Sequence, residues 1–339
     1  MRVAHVMAGA PAGGAELFFE RLTVALHNAG DAVLPVIRRD AVRAGRLMSG
    51  GLAPVQLGFG GAFDLLTRPR IAAALRAFMP RIVVAWMNRA AHHTPRGDWV
   101  LAGRLGGYYD LRYYKACDHL IGNTRGIVEW IRSQGWPAHR VHHLPNFAPD
   151  LAGAAPAVLP VPPGVAVVLA LGRLHRNKAF DVLVRALPLL PGVHAVIAGA
   201  GPEREALLAL AYDAGVQDRL HLLGWRTDQA ALLARCDLLA CPSRHEPLGN
   251  VVLEAFSAGR PVVAADAAGP MELIARDREG LLVPRGDAQS LAEAIASVLA
   301  DPALAARLAA AGRARYDAVH AEAPVVAQWR TALAAMERA

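Results

Sequence analysis

Residues 242 to 260 read Pro-Ser-Arg-His-Glu-Pro-Leu-Gly-Asn-Val-Val-Leu-Glu-Ala-Phe-Ser-Ala-Gly-Arg. They follow a short apolar run at 238 to 241 and lead into a helical apolar pattern at 251 to 258, so a strand, a loop and a helix succeed one another as in a parallel α/β domain. Asn250 is a good helix N-cap, Gly259 suits the left-handed position past the helix end, and Pro261 stops continuation. Two carboxylates flank the expected helix start, Glu246 in the loop before it and Glu254 in or near its first turn. Free N–H groups of Leu248, Gly249 and Asn250 at that start favour an anion such as a phosphate, and the carboxylates can accept hydrogen bonds from sugar hydroxyls.

Working outward, strands alternate with helices twice over. A strand is expected at 2 to 7, a tight turn at Gly13-Gly14, a helix at 15 to 29 ended by Gly30, and a strand at 33 to 37. Further strands fall at 81 to 86 and 120 to 122, and a helix at 124 to 134 takes Asn123 or Thr124 as its cap. Residues 145 to 164 hold six prolines and few charges, a composition that breaks both helix and strand and reads as an interdomain linker. Beyond it, strands at 165 to 171, 193 to 198, 220 to 223 and 238 to 241 alternate with helices at 180 to 190, 203 to 214 and 229 to 234. Residues 290 to 339 are Ala-rich and helical. The pattern predicts an α/β chain with Rossmann-like domains at 1–150 and 165–320 and a terminal segment at 321–339, with ligands at the carboxyl ends of the strands. No sequence repeat relates the two halves.

Glu246-Pro247-Leu248-Gly249-Asn250-Val251-Val252-Leu253-Glu254 resembles the glutamate, seven residues, glutamate motif of the retaining GT-B glycosyltransferases of family four. Gly172-Arg173-Leu174, with Lys178 five residues after the arginine, is similar to that family's diphosphate-binding segment, and Gly13-Gly14-Ala15-Glu16 resembles its glycine loop after the first strand. The resemblance implies a GT-B fold, two Rossmann-like domains facing a central cleft. The C-terminal domain would hold a nucleotide-diphosphate sugar, the N-terminal domain the acceptor, and the last helix would cross back onto the N-terminal domain. It further implies that Glu246 contacts donor-sugar hydroxyls, that Glu254 holds the ribose, that Arg173 and Lys178 neutralise the leaving diphosphate, and that the turn with Gly199 and Gly201 lies close to the nucleotide. Trp225 could line the base pocket or be a buried tryptophan without ligand contact. Many members carry a histidine after the fourth or fifth N-terminal strand, where this chain has Trp86 and Gly106. Arg89, Arg104 and the stretch 107 to 115 are then the acceptor-side candidates, with His92-His93 near them.

Composition fits two cores: 339 residues with 54% apolar and 6% aromatic side chains. Three cysteines, Cys117, Cys236 and Cys241, lack a Cys-x-x-Cys spacing, so neither a disulfide framework nor a zinc site is implied, and a reducing cytoplasm fits. The opening ten residues do not read as a signal peptide, since their apolar run is short, includes His5 and leads into a charged helix. No apolar stretch is long enough to span a bilayer. His142 and His143 fall on an expected strand and point to opposite faces, which argues against a metal cluster with His139.

Charge is uneven. Residues 1 to 150 carry 18 Lys plus Arg against 10 Asp plus Glu, and residues 151 to 339 carry 18 against 19. The basic half suggests an acidic acceptor or peripheral contact with an anionic membrane, at the inner face of the cytoplasmic membrane, while dispersed basic residues give no nucleic-acid signature. Only Lys115 and Lys178 are lysines, and one of them stands in the phosphate motif. The expected function is a retaining transfer from a nucleotide-diphosphate sugar to a saccharide acceptor, lipid-linked or of the lipopolysaccharide core, with no cofactor. No Asp-x-Asp pair is present to hold a divalent metal on the diphosphate. The alternatives are a GT-B nucleotide-sugar epimerase and a nucleotide-sugar binding protein without transfer activity. A nicotinamide dehydrogenase is disfavoured because no Gly-x-Gly-x-x-Gly opens the first helix.

Overall fold

A computed structural model describes residues 1–10, 13–60, 64–275 and 277–337. The chain divides into two compact units, Met1–Phe147 with Glu322–Ala339, and Ala148–Ala321. In the first, strands and helices alternate as β1 (Arg2–Met7), α1 (Gly14–Asn28), β2 (Ala32–Arg38), α2 (Ala41–Ser49), β3 (Val55–Leu57), α3 (Thr67–Phe78), β4 (Ile82–Trp86), α4 (Met87–His93), β5 (Val100–Leu105), β6 (His119–Gly122), α5 (Arg125–Ser133) and β7 (Val141–His143). The second unit runs β8 (Ala166–Leu171), α6 (Phe180–Ala186), β9 (Val193–Ala198), α7 (Arg204–Asp213), β10 (Leu220–Gly224), α8 (Gln229–Arg235), β11 (Leu238–Cys241), α9 (Asn250–Ser257), β12 (Val262–Ala265), α10 (Ala268–Leu273), β13 (Leu281–Val283), α11 (Ala288–Ala300) and α12 (Pro302–Arg315). A π-helical turn at Tyr316–His320 closes it, and α13 (Glu322–Met336) belongs to the first unit.

Each unit is built on one parallel sheet, in the orders β3-β2-β1-β4-β5-β6-β7 and β10-β9-β8-β11-β12-β13. The central strands are mostly apolar because helices cover both faces of each sheet. In β4, Ile82, Val84 and Trp86 join the core under α1 and α13, while Val83 and Ala85 point into the opposite core under α3 to α5. The same alternation splits β8, with Val168 and Ala170 on one face and Val167, Leu169 and Leu171 on the other. Strand order reverses between β1 and β4 in the first sheet and between β8 and β11 in the second, and loops at the carboxyl ends diverge there to leave room for a ligand.

Helix starts follow side-chain caps where the sequence supplies them. Thr124 accepts from the Ile127 N–H at α5, Asp287 from Ser290 at α11, and Asp301 from Ala303 and Leu304 at α12. The helix expected over 180 to 190 ends at Ala186 and tightens into a 3-10 turn at Leu187–Leu189, because Pro188 has no N–H for the α ladder. Residues 148 to 164 belong to the second unit, where the Ala157 N–H donates to the Ala231 carbonyl and the Tyr316 hydroxyl to that of Ala148. Among the described residues, no single helix is long and apolar enough to cross a membrane.

Helix α13 completes the first core. Trp329 is fully buried and stacks on Trp86 with ring centroids 6.2 Å apart and an interplanar angle of 3°. Its indole N–H donates to the Pro145 carbonyl, and Arg330 pairs with Asp31 at 3.0 Å. Trp329→Ala is expected to destabilise the first unit by about 3–5 kcal/mol, measured by urea unfolding, because a void replaces a large ring in a closed core.

Candidate active site

In the second unit, the loops after β8 and β9 meet backbone to backbone. The Gly172 N–H donates to the Ala198 carbonyl, the Leu174 N–H to that of Ala200, and the Glu203 N–H to that of Leu174. A Cβ at Gly199 would run into the Gly172 carbonyl oxygen, and one at Gly201 into that of Leu174, so both positions require glycine for this approach. Gly172 itself has φ +139°, and its α-carbon faces the Lys178 stem. Arg173 follows at the strand end, exposed, its guanidinium engaged by no other described residue.

Lys178 ends a 3-10 turn at Arg176–Lys178 whose cap is the His175 ring, accepting from the Asn177 N–H. The next residue, Ala179, adopts a left-handed φ of 53° before α6 begins. Across from this turn lies the loop after β11. The N–H groups of Arg244 and His245 both donate to the Asn177 carbonyl, and Arg244 grips Asp181 through two hydrogen bonds of 2.7 and 2.6 Å. That double tie sets Glu246 against Lys178. The ammonium donates to Glu246 Oε2, which also accepts from the Ser243 hydroxyl. Burial alone pulls the Lys178 pKa down, but the Glu246 charge and hydrogen bond, assisted by Cys241 and Glu254, outweigh it and hold the pKa above its ordinary value. The pair bridges the carboxyl ends of β8 and β11, which is where the sheet order reverses.

Helix α9 starts differently from the sequence expectation. Gly249, not Asn250, occupies the N-cap, in a left-handed conformation with φ 93°, and Asn250 is the first helical residue. The cause is a sharp turn: the Glu246 carbonyl accepts from the Gly269 N–H, and Gly269 packs so closely on the Leu248 carbonyl that a Cβ there would collide with it. Among the described residues, no hydrogen bond engages the N–H groups of Leu248 and Gly249. Glu254 is the fifth residue of α9, beyond its first turn, on the same face as Asn250 and within electrostatic reach of Lys178. Trp225 is 60% exposed just after β10, which removes the buried alternative for it.

In the first unit, the glycine loop leads into α1 with Gly13 extended at its N-cap and Gly14 as its first residue. Glu16 folds back into this loop and accepts from the Ala10 N–H at 2.9 Å, and a Cβ at Gly9 or Gly13 would strike its carboxylate. At the carboxyl ends of β1, β2 and β4 lies a cavity of about 750 Å³ that Arg89, His92 and His93 line together with Arg38, Arg68, Asn88, Tyr109 and Tyr113. Arg104 does not reach its wall. It lies at the end of β5 at 0% exposure, stacked over Trp86 at 4.8 Å and donating to Asn146 at 2.6 Å, because the side chain at this register points into the core. Arg38, Arg68 and Asn88 escaped the sequence reading. They carry no motif, and only their positions at the end of β2, the start of α3 and the start of α4 make them neighbours. His142 pairs with His119 at 3.0 Å, and no group of three or more His, Cys, Asp or Glu stands ready for a metal ion among the described residues.

The family described as Glycosyl transferases group 1 matches residues 154–315. The lipopolysaccharide core biosynthesis glycosyltransferases LpsE and LpsD of Rhizobium meliloti (strain 1021) are each 34% identical to this chain, covering 92% of it and 93% and 92% of their own lengths. Among solved structures, Anabaena Alr3699/HepE in complex with UDP-glucose superposes with a TM-score of 0.85 at 22% identity, over 99% of this chain and all of that one. The chain belongs to the group 1 glycosyltransferases and has the GT-B fold. These relationships favour neither the epimerase nor the binding protein without transfer activity.

The close approach of the two glycine loops is directly testable. Gly199→Ala is expected to destabilise the second unit by about 3 kcal/mol or more, because backbone rather than a flexible side chain would have to move. Gly45→Ala, in α2 with open space around its α-carbon, should instead stabilise by about 0.5–1 kcal/mol. Thermal unfolding of the two variants would separate these outcomes by sign.

Proposed function

We propose that this protein transfers a hexosyl-type sugar from a nucleotide-diphosphate sugar to a saccharide acceptor, with retention of configuration and without a divalent metal or other cofactor. The observation that carries the reading is the Lys178 ammonium held on Glu246 at the start of α9, with the unpaired Arg173 guanidinium at the end of the neighbouring strand. Transfer breaks the bond from the anomeric carbon to the β-phosphate oxygen and forms one to an acceptor hydroxyl, whose proton passes to the departing phosphate or to water. The charge that grows on the diphosphate meets two cations and the unengaged N–H groups of Leu248 and Gly249, all already in place. A dianionic diphosphate competes with Glu246 for Lys178, and a carboxylate released in this way is available to donor-sugar hydroxyls. Glu254, on the Asn250 face of α9, takes the ribose hydroxyls, and the exposed Trp225 offers a ring for the base.

The relatives support the same picture. The curated relatives named above act in lipopolysaccharide core biosynthesis, and Alr3699/HepE was solved with UDP-glucose. An acceptor of the lipopolysaccharide core or another lipid-linked saccharide, met at the inner face of the cytoplasmic membrane, agrees with the basic excess of residues 1 to 150. Retention rests on the family resemblance of the two-glutamate motif, and metal independence on the cations that stand where a metal would otherwise be needed.

Arg173→Ala should slow transfer by about 10- to 100-fold with an unchanged melting temperature, since it removes charge-assisted hydrogen bonds made by an exposed, unpaired side chain. Combined with Lys178→Ala, the loss should be smaller than the product of the single losses if both act on one diphosphate. Because the Lys178 pKa is raised, its charge is complete below the ordinary lysine value and is lost only as pH climbs through the higher folded value, so its contribution should not fall between pH 6 and 9. Excess chelator should leave the rate unaltered. Loss of activity restored by magnesium or manganese would overturn this account of the leaving group.

A further inference from the structure

The cavity of the first unit carries a charge pattern that a neutral sugar does not need. Arg38 at the end of β2, Arg68 in the first turn of α3 and Arg89 in α4 come from three separate elements, and all three line it. Among the described residues none of the three makes an ion pair or a side-chain hydrogen bond. Elsewhere Arg43, Arg46, Arg226, Arg244, Arg313 and Arg330 are each matched to a carboxylate, whereas here three unmatched guanidinium groups share one cavity. One acid lines the cavity, Asp64, and its oxygens are taken by the Thr67 hydroxyl and by the N–H groups of Gly60, Leu66 and Thr67. The surplus positive charge is felt locally: burial, then the charges of His92, Arg89 and Arg68, hold the His93 pKa below its ordinary value despite the opposing pull of Asp64.

Two residues that line the cavity, Trp86 and Asn88, add polar atoms of both kinds. The Trp86 indole N–H is a buried donor and the Asn88 Oδ1 a buried acceptor, and neither has a partner among the described residues. Leaving such groups unpaired costs free energy, and a ligand in the cavity that both donates and accepts would offset it once the wall adjusts to meet it. Tyr109 and Tyr113 supply flat walls of the kind that pack on a sugar ring, and the volume of about 750 Å³ lies within the ordinary range of ligand sites.

We infer that the sugar entering this cavity bears an oxyanion, a phosphate monoester or a carboxylate, gripped by Arg38, Arg68 and Arg89, so that acidic acceptors are selected over neutral ones. The inference rests on the transferase reading for the word acceptor, while the anion site itself stands on the cavity alone. Guanidinium forks match either group through paired hydrogen bonds, and three of them approaching from different directions can surround one tetrahedral or planar anion.

The test uses the full chain and measures binding of glucose 6-phosphate, glucuronate, glucose and inorganic phosphate by calorimetry. At least one acidic sugar should bind about 10-fold or more tightly than glucose, weaken as salt rises, and fall to the level of glucose in the triple variant Arg38→Gln, Arg68→Gln, Arg89→Gln. All three arginines are exposed, so the variant should keep its melting temperature, and the single Arg89→Lys should retain part of the preference. Whichever acidic sugar binds more tightly identifies the group as phosphate or carboxylate. Equal binding of glucose and both acidic sugars, a preference that survives the triple variant, or inorganic phosphate binding as tightly as glucose 6-phosphate would each overturn the inference. A parallel thermal-shift assay with UDP-glucose reports on the second unit. Donor stabilisation without acidic-sugar preference sinks only this inference, and acidic-sugar preference without donor stabilisation leaves the anion site standing and counts against UDP-glucose as the donor.

Discussion

Parallel strands that pair side by side must all end on the same edge of the sheet, and in both units the loops at that edge carry the chemistry. Where strand order reverses, consecutive loops turn away from each other, and the polar side chains they bear line the gap instead of being covered by the next helix. In the second unit this brings Lys178, after β8, against Glu246, after β11, although 67 residues lie between them in the chain. In the first it brings Arg38, at the end of β2, and Arg89, after β4, to one cavity. The rest of the molecule, with four apolar cores packed on the two faces of each sheet, fixes those edges in place.

Within that frame, glycine decides how closely backbones approach and arginine decides where charge goes. Gly199 and Gly201 let the loop after β9 lie directly on the loop after β8, which holds Gly172 and Arg173 at the strand end without help from side chains. Gly9 and Gly13 leave room for the Glu16 carboxylate to fold into its own loop. Arginines matched to carboxylates bind elements together, as Arg244 does with Asp181 and Arg330 with Asp31. Those left unmatched at a carboxyl edge, Arg173 in one unit and Arg38, Arg68 and Arg89 in the other, are free to meet an anion. Arg104 belongs to neither group. Its guanidinium is buried over Trp86, its Nε and Nη1 have no partner among the described residues, and burial lowers its pKa to about 10, still far enough above neutrality to keep its charge.

Much of this was legible in the residues themselves. Strands such as β8 and β11 are uninterrupted apolar runs, which burial on both faces explains, and their alternation with helical patterns defines the class of fold. The motif residues Arg173, Lys178, Glu246 and Glu254 were recognisable because each spacing is local, a strand end or a helix start away from its neighbour. The short strands β3 and β13, of three residues each, and the helices between residues 38 and 80 were not legible, since so short an apolar run has no periodicity of its own.

By itself, then, the sequence determined the alternating α/β class, the family resemblance of the donor motifs and the identity of the charged residues available to them, because these depend on local periodicity and short spacing. Only the tertiary structure decided which residues meet. It exchanged Asn250 for Gly249 as the cap of α9, because the contact between Leu248 and Gly269 forces a left-handed turn there. It drew Arg104 into the core and set Arg38, Arg68 and Asn88 around one cavity, because strand register and sheet order, which join residues far apart in the chain, fix where each side chain points.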